Sequence, residues 1–273
     1  MNEIAGLHGL SLTAYLAAGA LVASSLAGGR THVPRSGVWL VAAAVLVHAL
    51  AIVLFISRFD ELPLVGLAAS FSTLAFLIGL FLLGAASLRE VRPVALILIP
   101  LIALLLAVAL TLGIAPGGEA GPFGGLWFTA HVVLSLFGYA CLALAFAAGL
   151  LYLLQFRALK GKRFGRAFRF FPPLETLDKL RQRVLVSGCA GLTLGLILGW
   201  AWTVRFRNSL AAENPQVIWG VVTWLVFVVA LVSRTGGGGA ERRAALVSVG
   251  GFLLVVAAYV LLRLAMADGR TFL

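Results

Sequence analysis

Val94-Ala-Leu-Ile-Leu-Ile-Pro-Leu-Ile-Ala-Leu-Leu-Leu-Ala-Val-Ala-Leu-Thr-Leu112 decides the fold class. The run holds no charge and is long enough to cross a bilayer as a helix. It shows none of the ten-residue alternation that marks the strands of a membrane barrel. Working outward, similar stretches recur along the chain. The spans fall at about 8–28, 37–57, 65–87, 94–114, 126–154, 184–204, 217–233 and 244–265. Composition agrees: 62% of residues are hydrophobic, 11% are charged, and mean hydropathy is +1.07. A soluble domain runs near 45–50% apolar and about 25% charged. The expected fold is all-α: one polytopic integral membrane bundle of about eight transmembrane helices, covering residues 1–273.

The net charge of +11 needs a location before it has a meaning. Loops 29–36, 88–93, 155–183 and 234–243 carry 16 of the 21 basic residues and net +12, while the alternate loops and termini net −1. That sorting follows the positive-inside rule, so the basic loops are cytoplasmic and both termini lie outside. The charge therefore describes orientation and attraction to anionic lipid, and no nucleic-acid partner is expected. Glu3 stands where a signal peptide has its basic region, so the first span reads as a true helix. The basic cytoplasmic loop 156–183 contains Pro172 and Pro173, which suit a helix start, followed by Leu174, Leu177 and Leu180. A short amphipathic helix on the inner interface is expected there. Gly236–Gly239 lacks the Lys and Ser/Thr of a phosphate loop and reads as a tether.

Chemistry-bearing residues are scarce. None of the ten acids falls inside a span, which argues against an ion-coupled transporter. Cys141 and Cys189 form no Cys-x-x-Cys unit and read as buried small residues. No catalytic motif is present, and the protein is not expected to be an enzyme. His8 and His32 read as interfacial polar residues. His48 and His131 lie within apolar helices, where an ionisable residue is a functional hypothesis by default. Their depths match: His48 lies about 14 Å, and His131 about 8 Å, below the outer surface at 1.5 Å per residue. Two imidazoles without carboxylate or thiolate companions suit the two axial positions of a heme iron; zinc takes four ligands. Separately hydrogen-bonded histidines are the plain alternative.

The surroundings of His131 fit a heme. Ser135 and Tyr139 follow at i+4 and i+8 on the same face. Trp127 marks the interface. Arg58, Arg205 and Arg207 lie at the outer ends of helices, where heme propionates could pair with them; contact with lipid headgroups is the plain alternative. The predicted cofactor is heme b, one per chain.

The run His131-Val-x-x-Ser135-x-x-x-Tyr139, then Ala148-Gly149-Leu-Leu-Tyr152-Leu-Leu-Gln155, resembles the cytochrome c assembly family of heme-handling membrane proteins. So do Pro173-Leu-Glu-Thr-Leu-Asp178-Lys-Leu, Gly188, Leu192-Thr193-Leu-Gly195, Gly199-Trp200-Ala201, Trp219 through Trp224, Arg242-Arg243-Ala244-Ala245 and Gly251-Phe252, all in order. The length, the spans and His48 are most similar to the short HemX-like/YpjD-like branch. The resemblance carries an external heme-flanking histidine of the larger synthases onto His131. It also shows departures. Residues 205–217 lack the tryptophan-rich motif, Val232 and Ser233 stand near the family's inner histidine position, and no external histidine follows the last helix. His48 then replaces the missing second axial ligand.

The resemblance implies a heme-b-binding protein of the bacterial cytoplasmic (inner) membrane, holding or relaying heme in the outer half of the bilayer. Its partners would be heme, the lipid bilayer and other cytochrome c maturation or heme-synthesis proteins. Two alternatives stand beside it: a HemX-like regulator of glutamyl-tRNA reductase level, with the basic loop as docking surface, and a heme or small-molecule transporter.

Overall fold

A computed structural model describes residues 2–116, 125–162, 164–207, 215–234 and 239–265. Every regular element among them is helical: α1 (Asn2–Ala27), α2 (Arg35–Phe59), α3 (Leu67–Ser87), a 3-10 turn (Arg89–Val94), α4 (Ala95–Leu112), α5 (Leu126–Lys160), α6 (Arg166–Phe170), α7 (Leu174–Arg207), α8 (Pro215–Val232) and α9 (Ala240–Ala265). Seven are long and apolar enough to cross a membrane, and the shorter apolar helix Val217–Val232 falls where the remaining span is expected. Several polar side chains are buried beside the apolar core, while large apolar ones face outward. His8, Ser11, His48 and Ser72 are buried, while Leu46, Leu104 and Trp39 are exposed. Such helices hide polar groups from lipid and turn apolar ones toward it. The protein is a polytopic helical membrane protein.

The chain divides into two compact units, Met1–Glu119 with Leu151–Lys179, and Ala120–Leu150 with Leu180–Leu273.

In the first unit, α1 packs on α2 and α4, and α3 packs on α2 and α4. Small residues let the backbones approach: Ala18, Ala44, Ala51 and Ala75 are fully buried. Ser11 Oγ donates to the Ala44 carbonyl at 3.0 Å, tying α1 to α2 at mid-length. Arginines satisfy the helix ends. Arg166 donates to the carbonyl of Ala27, the last residue of α1, at 2.9 Å, and Arg92 donates to Ala86 and Val33 carbonyls at 2.8 and 3.2 Å. Cations near helix C-termini also complement the macrodipole.

In the second unit, a row of glycines on α7 receives α5. A Cβ at Gly188 would lie 2.6 Å from Cβ of Cys141, and one at Gly191 would lie 2.7 Å from the Phe137 ring. Phe227 of α8 closes on Gly188, and Trp224 Nε1 donates to Thr193 Oγ1 at 2.9 Å. Arg181 donates to Ser248 Oγ of α9 at 3.3 Å.

One local expectation is corrected. A helix does begin after Pro172 and Pro173, but it is not a short separate one; it runs on as α7 into the following span. The Glu175–Lys179 pair at 2.6 Å has helical i,i+4 spacing, and no glycine or proline stands between Leu174 and Ser187 to end the helix. The separate short helix is α6.

Candidate functional site

His131 lies on the second turn of α5 and is partly buried. Its Nδ1 is 2.7 Å from the Gly195 carbonyl of α7. A carbonyl can only accept, so Nδ1 carries the proton and donates it. In the neutral ring that leaves a lone pair on Nε2, which makes no hydrogen bond among the described residues. The ring lies against Gly199, where a Cβ would sit 2.7 Å from Cε1. Any side chain at 199 would push the imidazole away, so the glycine fixes the ring plane by absence. This is the arrangement of a metal-ligating histidine: one ring N–H anchored to a carbonyl, the other nitrogen open.

The residues expected beside His131 divide in their roles. Ser135 Oγ donates to the His131 backbone carbonyl at 2.8 Å, so it supports the helix rather than the ring. Tyr139 lies one helix turn further from the imidazole than Ser135, with its hydroxyl toward Trp219 and Thr223 of α8. Trp127 is 57% exposed at the start of α5, as an interface anchor is.

In the other unit, His48 is fully buried on α2, and it has a partner that hydropathy does not reveal. His8 of α1 is also buried, its ring centroid 5.2 Å from that of His48. Ser72 of α3 joins them: its Oγ is 2.8 Å from His8 Nε2 and 3.0 Å from His48 Nε2. The proton positions follow in order. His8 Nδ1 lies 2.8 Å from the Ile4 carbonyl and must donate to it. His8 Nε2 in the neutral ring therefore accepts the Ser72 hydroxyl proton. Ser72 Oγ has spent that proton, so it accepts from His48 Nε2–H. His48 Nδ1 is left as a buried lone pair without a hydrogen-bond partner among the described residues. Nearby, the Tyr15 ring centroid is 6.3 Å from that of His48, and its buried hydroxyl also lacks a hydrogen-bond partner among the described residues. Gly79 makes room for that hydroxyl: a Cβ there would be 2.2 Å from Tyr15 Oη.

His8 reads as interfacial only because the first span is placed at about 8–28. The helix begins at Asn2, with Glu3 in its first turn, where an acid complements the macrodipole. The early start carries His8 well inside the packed unit.

Arg58 pairs with Glu3 at 3.4 Å, both side chains at least half exposed. Arg205 is exposed near the end of α7, and the Arg207 side chain lies outside the described residues. The two expected axial histidines thus belong to different units: His131 with Ser135 and Tyr139 in one, and His48 with His8 and Ser72 in the other.

Comparison with known proteins bears on both units. The family profile described as "Cytochrome C assembly protein" matches residues 38–267, which includes His48 and His131 but not His8. The chain is 29% identical over 135 residues to "Cytochrome c biogenesis protein CcsA" of Chlamydomonas reinhardtii, covering 49% of this chain and 36% of that protein. It is 28% identical over 148 residues to the CcsA of Guillardia theta, covering 49% of each. It is 31% identical over 143 residues to the "Uncharacterized 28.8 kDa protein in nifR3-like 5'region" of Azospirillum brasilense, covering 52% of this chain and 49% of that protein. The aligned stretches thus span half or less of the length of these relatives. With the family profile matching most of its length, the chain belongs to the cytochrome c assembly protein family.

Proposed function

We propose that this protein handles heme b in a bacterial cytoplasmic membrane, in service of cytochrome c biogenesis, with His131 as an axial ligand to the iron. The observation that carries the reading is the His131 ring itself. Its Nδ1–H is committed to the Gly195 carbonyl and its Nε2 is open, on a face kept bare by Gly199. Family membership supports heme as the group; the imidazole supports iron ligation. His48, the second ligand expected from depth, is left out of the proposed heme ligand set, because it is fully buried beside His8 with its Nε2 hydrogen-bonded to Ser72. Heme bound at His131 would supply a redox-active iron. The residues of this chain would hold and orient it, and no catalytic group is needed for that.

In the orientation set by the basic loops, His131 lies in the outer half of the bilayer. That suits holding or relaying heme toward the outer face. The test is the reduced-minus-oxidised spectrum of the purified protein with heme-to-protein stoichiometry. One heme per chain with sharp reduced bands, lost in His131→Ala and kept in His48→Ala, is the expected result. A colourless protein from heme-replete cells contradicts the reading. An altered spectrum in folded His48→Ala would instead return His48 to the heme ligand set.

A further inference from the structure

The first unit holds a constellation that the heme reading of His131 does not use. Two imidazoles from different helices, His8 and His48, aim their Nε2 atoms at one point, now held by Ser72 Oγ at 2.8 and 3.0 Å. We propose that this point is a two-coordinate site for a cuprous ion, with His8 and His48 as its ligands.

Three features of the site select that ion. No group of three or more His, Cys, Asp or Glu among the described residues is placed to hold a metal, so the four ligands of a structural zinc are not assembled. No carboxylate appears in the cluster, and a buried divalent charge without one is costly. A monovalent, soft ion that accepts imidazole keeps that charge at one. The space is small: His8, Tyr15, His48 and Ser72 are at most 1% exposed, and Tyr15 already fills the gap left by Gly79. The packing has room for an ion in place of a hydroxyl, not for a macrocycle.

The local chemistry allows the exchange. A helical serine has an alternative acceptor in the carbonyl four residues back, so Ser72 Oγ can turn to Ala68 and release both nitrogens. His8 already has the right tautomer: Nδ1–H is anchored on the Ile4 carbonyl and Nε2 carries a lone pair, the usual support for a metal-bound imidazole. His48 needs one change, transfer of its proton from Nε2 to Nδ1. That nitrogen is the one left without a hydrogen-bond partner among the described residues. Protons balance within the ring, and no electron moves.

The inference rests on the first unit alone and is independent of heme at His131. The test uses heme-free, full-length protein in detergent, in a Cys141→Ala/Cys189→Ala background that removes competing thiols. Cuprous ion is presented as its complex with a chromogenic chelator. The protein is expected to withdraw one equivalent, and X-ray absorption to report two nitrogen neighbours. His8→Gln and His48→Gln should each lose the competition while keeping the wild-type helical circular dichroism. His131→Ala and Ser72→Ala should retain it. The proposal is overturned if the parent protein fails to compete, if His8→Gln competes equally well, or if folded Ser72→Ala loses the ion.

Discussion

His131 and His48 are the same residue type in similar apolar helices, yet their surroundings differ in kind. His131 meets a backbone: one carbonyl takes its proton, a glycine backs its ring, and one nitrogen stays open. His48 meets side chains: Ser72, which also bonds His8, takes its Nε2, and its remaining nitrogen is sealed in the interior. A backbone carbonyl cannot be displaced by a rotamer change, so His131 is held ready for one partner. A serine hydroxyl can turn away, so the His48 pair is held in an exchangeable state. The first arrangement suits a resident ligand position, and the second suits one that must be vacated before it binds.

The contrast can be broken in several places. Replacing His131 with Ala has the largest expected effect, complete loss of the heme absorption bands in protein that still folds, read by spectroscopy beside circular dichroism. Gly79→Ala comes next. Its Cβ would meet Tyr15 Oη at 2.2 Å, and forcing a methyl into packed space costs about 3 kcal/mol at the upper end of such substitutions, measured by thermal unfolding. Ser72→Ala should destabilise by about 1–2 kcal/mol, because two buried imidazole nitrogens lose their shared partner. The His131 end should be untouched by that change, so bound heme per folded protein is expected to stay the same within twofold. Arg58→Ala should be smallest, within about 0.5 kcal/mol, since an exposed pair with Glu3 contributes little. A large loss of heme in Arg58→Ala would instead assign that arginine to the propionates.

Much of this was legible in the residues, and the gaps have physical causes. Hydropathy finds the apolar middle of each span, so α4 is read as about 94–114 and observed as Ala95–Leu112. Helices that continue into polar sequence are cut short. The read span of about 184–204 is the apolar part of α7, which starts at Leu174 because backbone hydrogen bonding does not stop where the apolar residues do. The same blindness hides His8, since Asn2 and Glu3 open the helix but lower its hydropathy. His131 stands out as an imidazole in an apolar run, but its two supports do not. Gly195 and Gly199 look like any small-residue seam, and nothing in the spacing says that one offers a carbonyl and the other an empty face.

The central claim is that His131 ligates heme iron through Nε2. Its most direct test is the reduced-minus-oxidised spectrum of His131→Ala recorded beside wild type at equal folded protein. The account predicts one heme per wild-type chain and no bound heme in the variant. A variant with the wild-type spectrum and stoichiometry contradicts it.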